Sequence, residues 1–152
     1  MQLTVHTDYA LRTLLYLGSR PEEVVSVSRL SDVYGVSRHH LEKVAKTLVR
    51  LGLLRSRRGK LGGVQLAKRA EGIHIGEVVR QTEPNIALLA CFNGERKERA
   101  PCVLTSDCEL KRALLRARDT FFATLDEYSL ADLLLHTPGV AALSPQRHLA
   151  QT

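Results

Sequence analysis

Apolar residues recur three and four positions apart along most of this 152-residue chain, and the breaks in that rhythm mark its elements. One stripe runs through Val5, Tyr9 or Ala10, Leu14 and Leu17, predicting an opening helix capped by Thr4 or Thr7 and ended at Gly18-Ser19-Arg20-Pro21. Asp8 falls in its first turns, where the helix dipole favours a carboxylate. A short segment, Arg29 to Tyr34, follows with Ser28 as its cap, and Gly35 supplies the positive φ of a tight turn. Ser37 then caps a second helix, Arg38 to about Leu51, with Leu41, Val44 or Ala45, Leu48 and Leu51 on one side. Helix, glycine turn, helix is the helix-turn-helix pattern.

Beyond Gly52 the period changes to that of a strand. Leu53–Arg57 and Val64–Ala67 flank the glycine-rich stretch Arg58–Gly63, a hairpin that reads as a wing. A short helix over Ile75–Gln81 stops near Glu83-Pro84. The longest pattern runs from about Cys108 to Glu127, with Leu110, Leu114, Ala117, Phe121, Leu125 and Tyr128 forming one apolar seam. Such a seam on a solitary helix suits a partner helix, though its own domain could also cover it. Ser129 caps a last helix, Leu130–Leu135, and a frayed tail is expected from Thr137. The expected fold class is therefore mainly α. A winged helix-turn-helix DNA-binding domain spans 1–82 and a loop 83–109. A long dimerisation helix with a short following helix spans 110–135, and a flexible tail 136–152.

Charge sharpens this division. Residues 1–70 hold 13 Lys and Arg against 5 Asp and Glu, whereas residues 71–152 hold 9 against 11. A basic first half suits nucleic acid, although a solvated basic face would also explain the charge alone. On the second helix Arg38, His39, His40, Glu42, Lys43 and Lys46 occupy the side away from the core. Donors near a helix N-terminus serve phosphates and base edges, and Ser28 and Ser37 stand at two such termini. Arg57, Arg58 and Lys60 at the wing tip suit a narrow minor groove. No triad order, phosphate loop or carboxylate pair stands out, so an enzyme is not expected.

The opening stretch has polar residues throughout and no basic leader, and no apolar run is long enough to span a bilayer. A cytoplasmic protein without a membrane partner is expected. In a reducing compartment its three cysteines, Cys91, Cys102 and Cys108, favour metal binding or reactivity over disulfides. Their spacing differs from the paired CxxC of structural zinc sites. Soft thiolates suit iron–sulfur clusters, zinc or Cu(I), and a helix N-terminus favours the anionic form that binds metal.

Three blocks carry a family resemblance: MQLTVHTDYALRTLLYLG, VSRHHLEKVAKTLVRLGLLRSRRGKLGGVQLAK and PCVLTSDCELKRALLRARDTFFATLDEYSLADLL. Together they resemble the NsrR-type nitric-oxide-sensing repressors of the winged-helix iron–sulfur regulator family that includes IscR. The resemblance covers about residues 1–135. It implies a homodimeric repressor on a two-fold-symmetric double-stranded DNA operator, with a cluster held by Cys91, Cys102 and Cys108. It also implies a fourth ligand, Asp8 of the partner subunit. One ligand to each iron fits 4Fe–4S better than 2Fe–2S. By the same resemblance Glu42 selects cytosine, and reaction of nitric oxide with the cluster releases the operator and derepresses detoxification genes. The loop Phe92–Arg99 is longer than is usual in that family. Sensing of iron–sulfur or redox status on the same fold, or a zinc-bound or cluster-free DNA-binding protein, are the alternatives.

Overall fold

Helix α1 (Val5–Gly18) starts where the Thr4 hydroxyl accepts the Thr7 N–H at 3.3 Å, and most of the fold packs around it. The computed structural model describes residues 2–59, 61–89, 92 and 108–144. In chain order after α1 come α2 (Val27–Tyr34), α3 (Arg38–Arg50), β1 (Leu54–Arg57), β2 (Gly63–Leu66), α4 (Ile75–Thr82), α5 (Glu109–Asp126) and α6 (Leu130–Leu135). Single 3-10 turns occupy Ala70–Gly72 and Pro138–Val140. Among the described residues the fold is mainly helical with one two-stranded antiparallel sheet, as the hydrophobic pattern predicts.

The core lies where α1, α3 and the hairpin meet. Ala10, Leu14 and Leu17 of α1 pack with Leu41, Val44 and Leu48 of α3 and with Leu54 and Val64 of the hairpin. Burying one such leucine contributes about 2 kcal/mol, so the stripe, rather than helix propensity, holds α3 in place. Gly35 closes α2 with φ 62°, and Gly52 follows α3 with φ 69°, left-handed conformations that side chains disfavour. The hairpin is fastened near its turn end: Val25 and Val64 exchange backbone hydrogen bonds of 2.9 and 2.8 Å.

Four expectations are corrected. Ser26, not Ser28, caps α2, accepting the Arg29 N–H at 3.1 Å, because pairing of Val25 with Val64 keeps the chain extended up to Ser26. Ser37 occupies the N-cap position of α3 but makes no side-chain capping bond. Val5 is 57% exposed, leaving Ala10, Leu14 and Leu17 as the buried stripe of α1. The fraying expected from Thr137 does not hold up to residue 143. Val140 is buried, and the Arg20 guanidinium donates to the carbonyls of Val140, Ala141 and Leu143. Arg20 also lies over the Tyr16 ring, 4.0 Å from its centroid.

A second, smaller core docks α5 on α4 through Ile75, Val79 and Phe122. Gly76 permits this approach, since a Cβ there would stand 2.0 Å from the Asp126 carboxylate and 3.1 Å from the Asp126 backbone nitrogen. Arg80 closes the contact with two hydrogen bonds to Asp126, at 2.7 and 2.6 Å, and lies over the Phe122 ring. Among the described residues no helix is long and apolar enough to cross a membrane.

The bond from Arg80 holds the Asp126 carboxyl below its usual range. The pair therefore stabilises the fold fully above the ordinary carboxylate pKa of about 4, and that contribution disappears as pH falls through the lowered folded value. Asp126→Asn should lower the thermal midpoint at neutral pH, with the gap to the parent closing in acid. A gap that does not change with pH would contradict the electrostatic account of this contact.

Candidate functional site

Helix α3 stands out of the fold with its polar side uncovered. Arg38, His39, His40, Lys43 and Lys46 are exposed and Glu42 is half-buried. Arg38 donates to Glu42 at 2.9 Å, a pair one helical turn apart at the start of the helix. Glu42, Lys46 and Arg50 of α3 share a shallow groove with Ser56 of the hairpin and Val27 of α2. The far side of α3 and the hairpin thus border one surface. Arg57 and Arg58 are exposed at the end of that hairpin, while Lys60 lies outside the described residues. Ser28 is half-buried in the first turn of α2.

The turn that aims α3 is tied back to α1. The Tyr34 hydroxyl, at the end of α2, donates to the Arg12 carbonyl at 2.8 Å. Burial pushes the Tyr34 phenol up to about 12, so this donor persists into more alkaline solution than an ordinary phenol's. Its ring meets Tyr16 edge-on at 6.1 Å, and the Tyr16 hydroxyl accepts from Arg29 of α2 at 3.1 Å. Arg29 in turn pairs with Glu23.

Asp8 lies on the outer face of the first turns of α1, 43% exposed, with Arg12 donating to it at 2.9 Å. Cys108 is the N-cap of α5, half-buried and free, and its side chain makes no capping bond. Cys91 and Cys102 lie outside the described residues, as does most of the loop between them. Among the described residues no three potential metal ligands cluster.

The base of the cysteine segment is nonetheless well fixed. Glu83, directly after α4, accepts the Thr4 N–H at 2.7 Å and the Thr4 hydroxyl at 3.1 Å. The first residue group of the segment is thereby bonded to the cap of the helix carrying Asp8. Ile86 packs with Val79 and Phe122, and Arg118 of α5 stands 6.0 Å over the Phe92 ring. The sequence reading passed over Glu83 as part of a helix stop. No local signal connects it to a threonine 79 positions earlier.

The seam expected on α5 is divided by the structure. Phe122 is buried against α4, and Phe121 and Leu125 pack beside it. Leu110 is 57% and Tyr128 43% exposed, Ala117 is exposed, and Leu114 is half-buried. Much of an apolar seam is therefore left facing outward.

A family model described as "Rrf2: Iron-dependent Transcriptional regulator" matches residues 3–136. The chain belongs to the Rrf2 family. It is 44% identical over 144 residues to the HTH-type transcriptional regulator NsrR of Shouchella clausii (strain KSM-K16), which covers 94% of this chain and 95% of that protein. The solved structure of CymR (YrzC), the global cysteine regulator of B. subtilis, matches with a TM-score of 0.71 and 27% identity, covering 90% of this chain and 98% of CymR. IscR of T. potens shares the fold, with a TM-score of 0.71 and 21% identity over 90% of this chain and 88% of that one. This Rrf2 protein is accordingly a winged-helix transcriptional regulator and not an enzyme.

The Glu83–Thr4 contact makes a direct prediction for this fold. Glu83→Ala should cost about 1–3 kcal/mol in urea unfolding, because it strips the acceptor from two donors. Glu83→Gln, which keeps an acceptor oxygen in reach, should lose less than half of that. Equal losses in the two variants would show that the hydrogen bonds are not what Glu83 contributes.

Proposed function

We propose that the protein is a homodimeric transcriptional repressor that senses nitric oxide through an iron–sulfur cluster, with 4Fe–4S favoured over 2Fe–2S. The observation that supports this most is the near full-length likeness to NsrR in a chain that carries three cysteines in one short segment. Cys91, Cys102 and Cys108 of one subunit and Asp8 of the partner subunit are the proposed ligands. The donor set fits the group. Cys108 has no competing cap bond at a helix N-terminus, and thiolates are the soft donors such clusters take. A bound cluster supplies iron with which nitric oxide reacts.

The residues of the chain do the rest. The outward seam of α5 meets its counterpart in a second copy, and two-fold symmetry sets two α3 helices into successive major grooves. Arg38, His39, His40, Lys43 and Lys46 serve phosphates and base edges, and Glu42 accepts from the cytosine amino group. Ser28 and Ser37 bond phosphates at the starts of α2 and α3, while Arg57, Arg58 and Lys60 reach the minor groove. Arg12 donates to Asp8 through one carboxylate oxygen, leaving the other to serve as a ligand, and the Arg12 carbonyl holds Tyr34 beside the turn before α3. Glu83 links the cysteine segment to the same helix through Thr4. A change at the cysteine segment is thus felt at the mounting of α3, as a coupling free energy between two sites.

The test is to purify the protein without oxygen, assay iron and sulfide, and follow operator binding while nitric oxide is added. Operator affinity should fall by about 5- to 150-fold, the usual range of allosteric coupling. A protein that lacks iron and sulfide, or that binds its operator equally well throughout, would overturn the sensing claim. Release by oxygen or iron limitation but not by nitric oxide would overturn the choice of signal.

A further inference from the structure

Leu61 is 90% exposed, the most exposed large hydrophobic residue among those described, and it lies at the tip of a basic hairpin. The tip is tightly built. Gly59 has φ 110°, and the Gly62 N–H donates to the Gly59 carbonyl at 2.8 Å. A Cβ on Gly62 would stand 2.5 Å from the Arg57 carbonyl oxygen, and one on Gly63 would stand 2.3 Å from the Val25 carbonyl oxygen. The described residues flanking the tip are thus folded on one another and seated on the body of the domain through Val25.

Attraction to phosphates explains the exposed Arg57 and Arg58 beside the tip, but it gives no reason for a leucine in full contact with water. We infer that Leu61 is a specificity-determining residue. It sits on the floor of the minor groove that the wing enters and selects A·T over G·C pairs there. The inference rests on the DNA-binding reading above. Its chemistry follows from the groove. At A·T pairs the floor carries only acceptors and no protruding group, so a branched apolar side chain can approach between the sugar walls. At G·C pairs the guanine N2 amino group projects into the groove. Leu61 would strip water from that donor and offer no acceptor in return, which makes the contact costly. The arginines also favour narrow A·T-rich grooves, but through electrostatics that salt weakens. Contact by Leu61 does not change with salt in this way, so the two contributions separate.

The test uses the full-length protein and a two-fold-symmetric duplex recovered by it from a randomised pool. The wing-facing pairs are then set to A·T, G·C or inosine·C, the last being G·C without the amino group. The parent should bind A·T and inosine·C forms about tenfold more tightly than the G·C form, in line with the usual cost of a wrong base pair. Leu61→Ala should bind A·T and G·C forms within about twofold of each other, with its salt dependence unchanged. Arg58→Ala should do the reverse, flattening the salt dependence while the A·T preference persists. A Leu61→Ala protein that keeps the parent's A·T preference would overturn the inference, as would a parent without one. Recovery of no duplex at all would instead overturn the DNA-binding reading, and this inference with it.

Discussion

The apolar side of α5 is wider than the surface α4 offers it. Phe122, with Phe121 and Leu125 beside it, fills the contact with Ile75 and Val79, and Gly76 and the Arg80–Asp126 pair bring the two helices close. Leu110 and Ala117 of the same helix, and Tyr128 just beyond its end, then remain in water. A helix so placed is fixed by its own domain at one side and free to pack at the other. In the proposed dimer that second side carries the symmetry. The spacing of the two α3 helices, the reach of Asp8 to the partner's cysteines and the two-fold form of the operator would all follow from it.

Within one subunit, α1 connects the parts. Its buried stripe holds α3, its cap is bonded to Glu83 at the base of the cysteine segment, and its middle holds the turn before α3 through Arg12 and Tyr34. These polar links are few and short, and burial extends the Tyr34 donor to higher pH than an ordinary phenol would allow. Arg20 uses the end of α1 to hold residues 140–143 as well. A regulator needs two regions that respond to one another, and a helix bonded to both provides the simplest mechanical connection.

Elements driven by local periodicity were legible in the sequence. The buried positions of α3, the glycines at 35 and 52, the hairpin and the Ser129 cap all stand where the pattern puts them. What escaped was set by partners far away in the chain. The local pattern puts the α2 cap at Ser28, and the pairing of Val25 with Val64 sets it at Ser26 instead. On α5 the period puts Phe121 on the apolar seam, and the approach of α4 buries Phe122 beside it. Arg20 reads locally as a helix stop, because its acceptors lie about 120 positions onward. The proposed site is legible only as a set of residue types: Cys91 and Cys102 lie outside the described residues, and Asp8 and Cys108 belong to different subunits in the proposed arrangement.

That arrangement, a site completed across two subunits, is the central claim, and a mixed dimer tests it most directly. Asp8→Ala and Cys108→Ala subunits, each with a different affinity tag, are co-expressed, and the heterodimer is isolated without oxygen. Both parent homodimers should lack a stable cluster, whereas the heterodimer should retain one per dimer, built from the intact cysteines of one chain and the intact Asp8 of the other. A heterodimer as poor in iron and sulfide as the two homodimers would contradict the shared site.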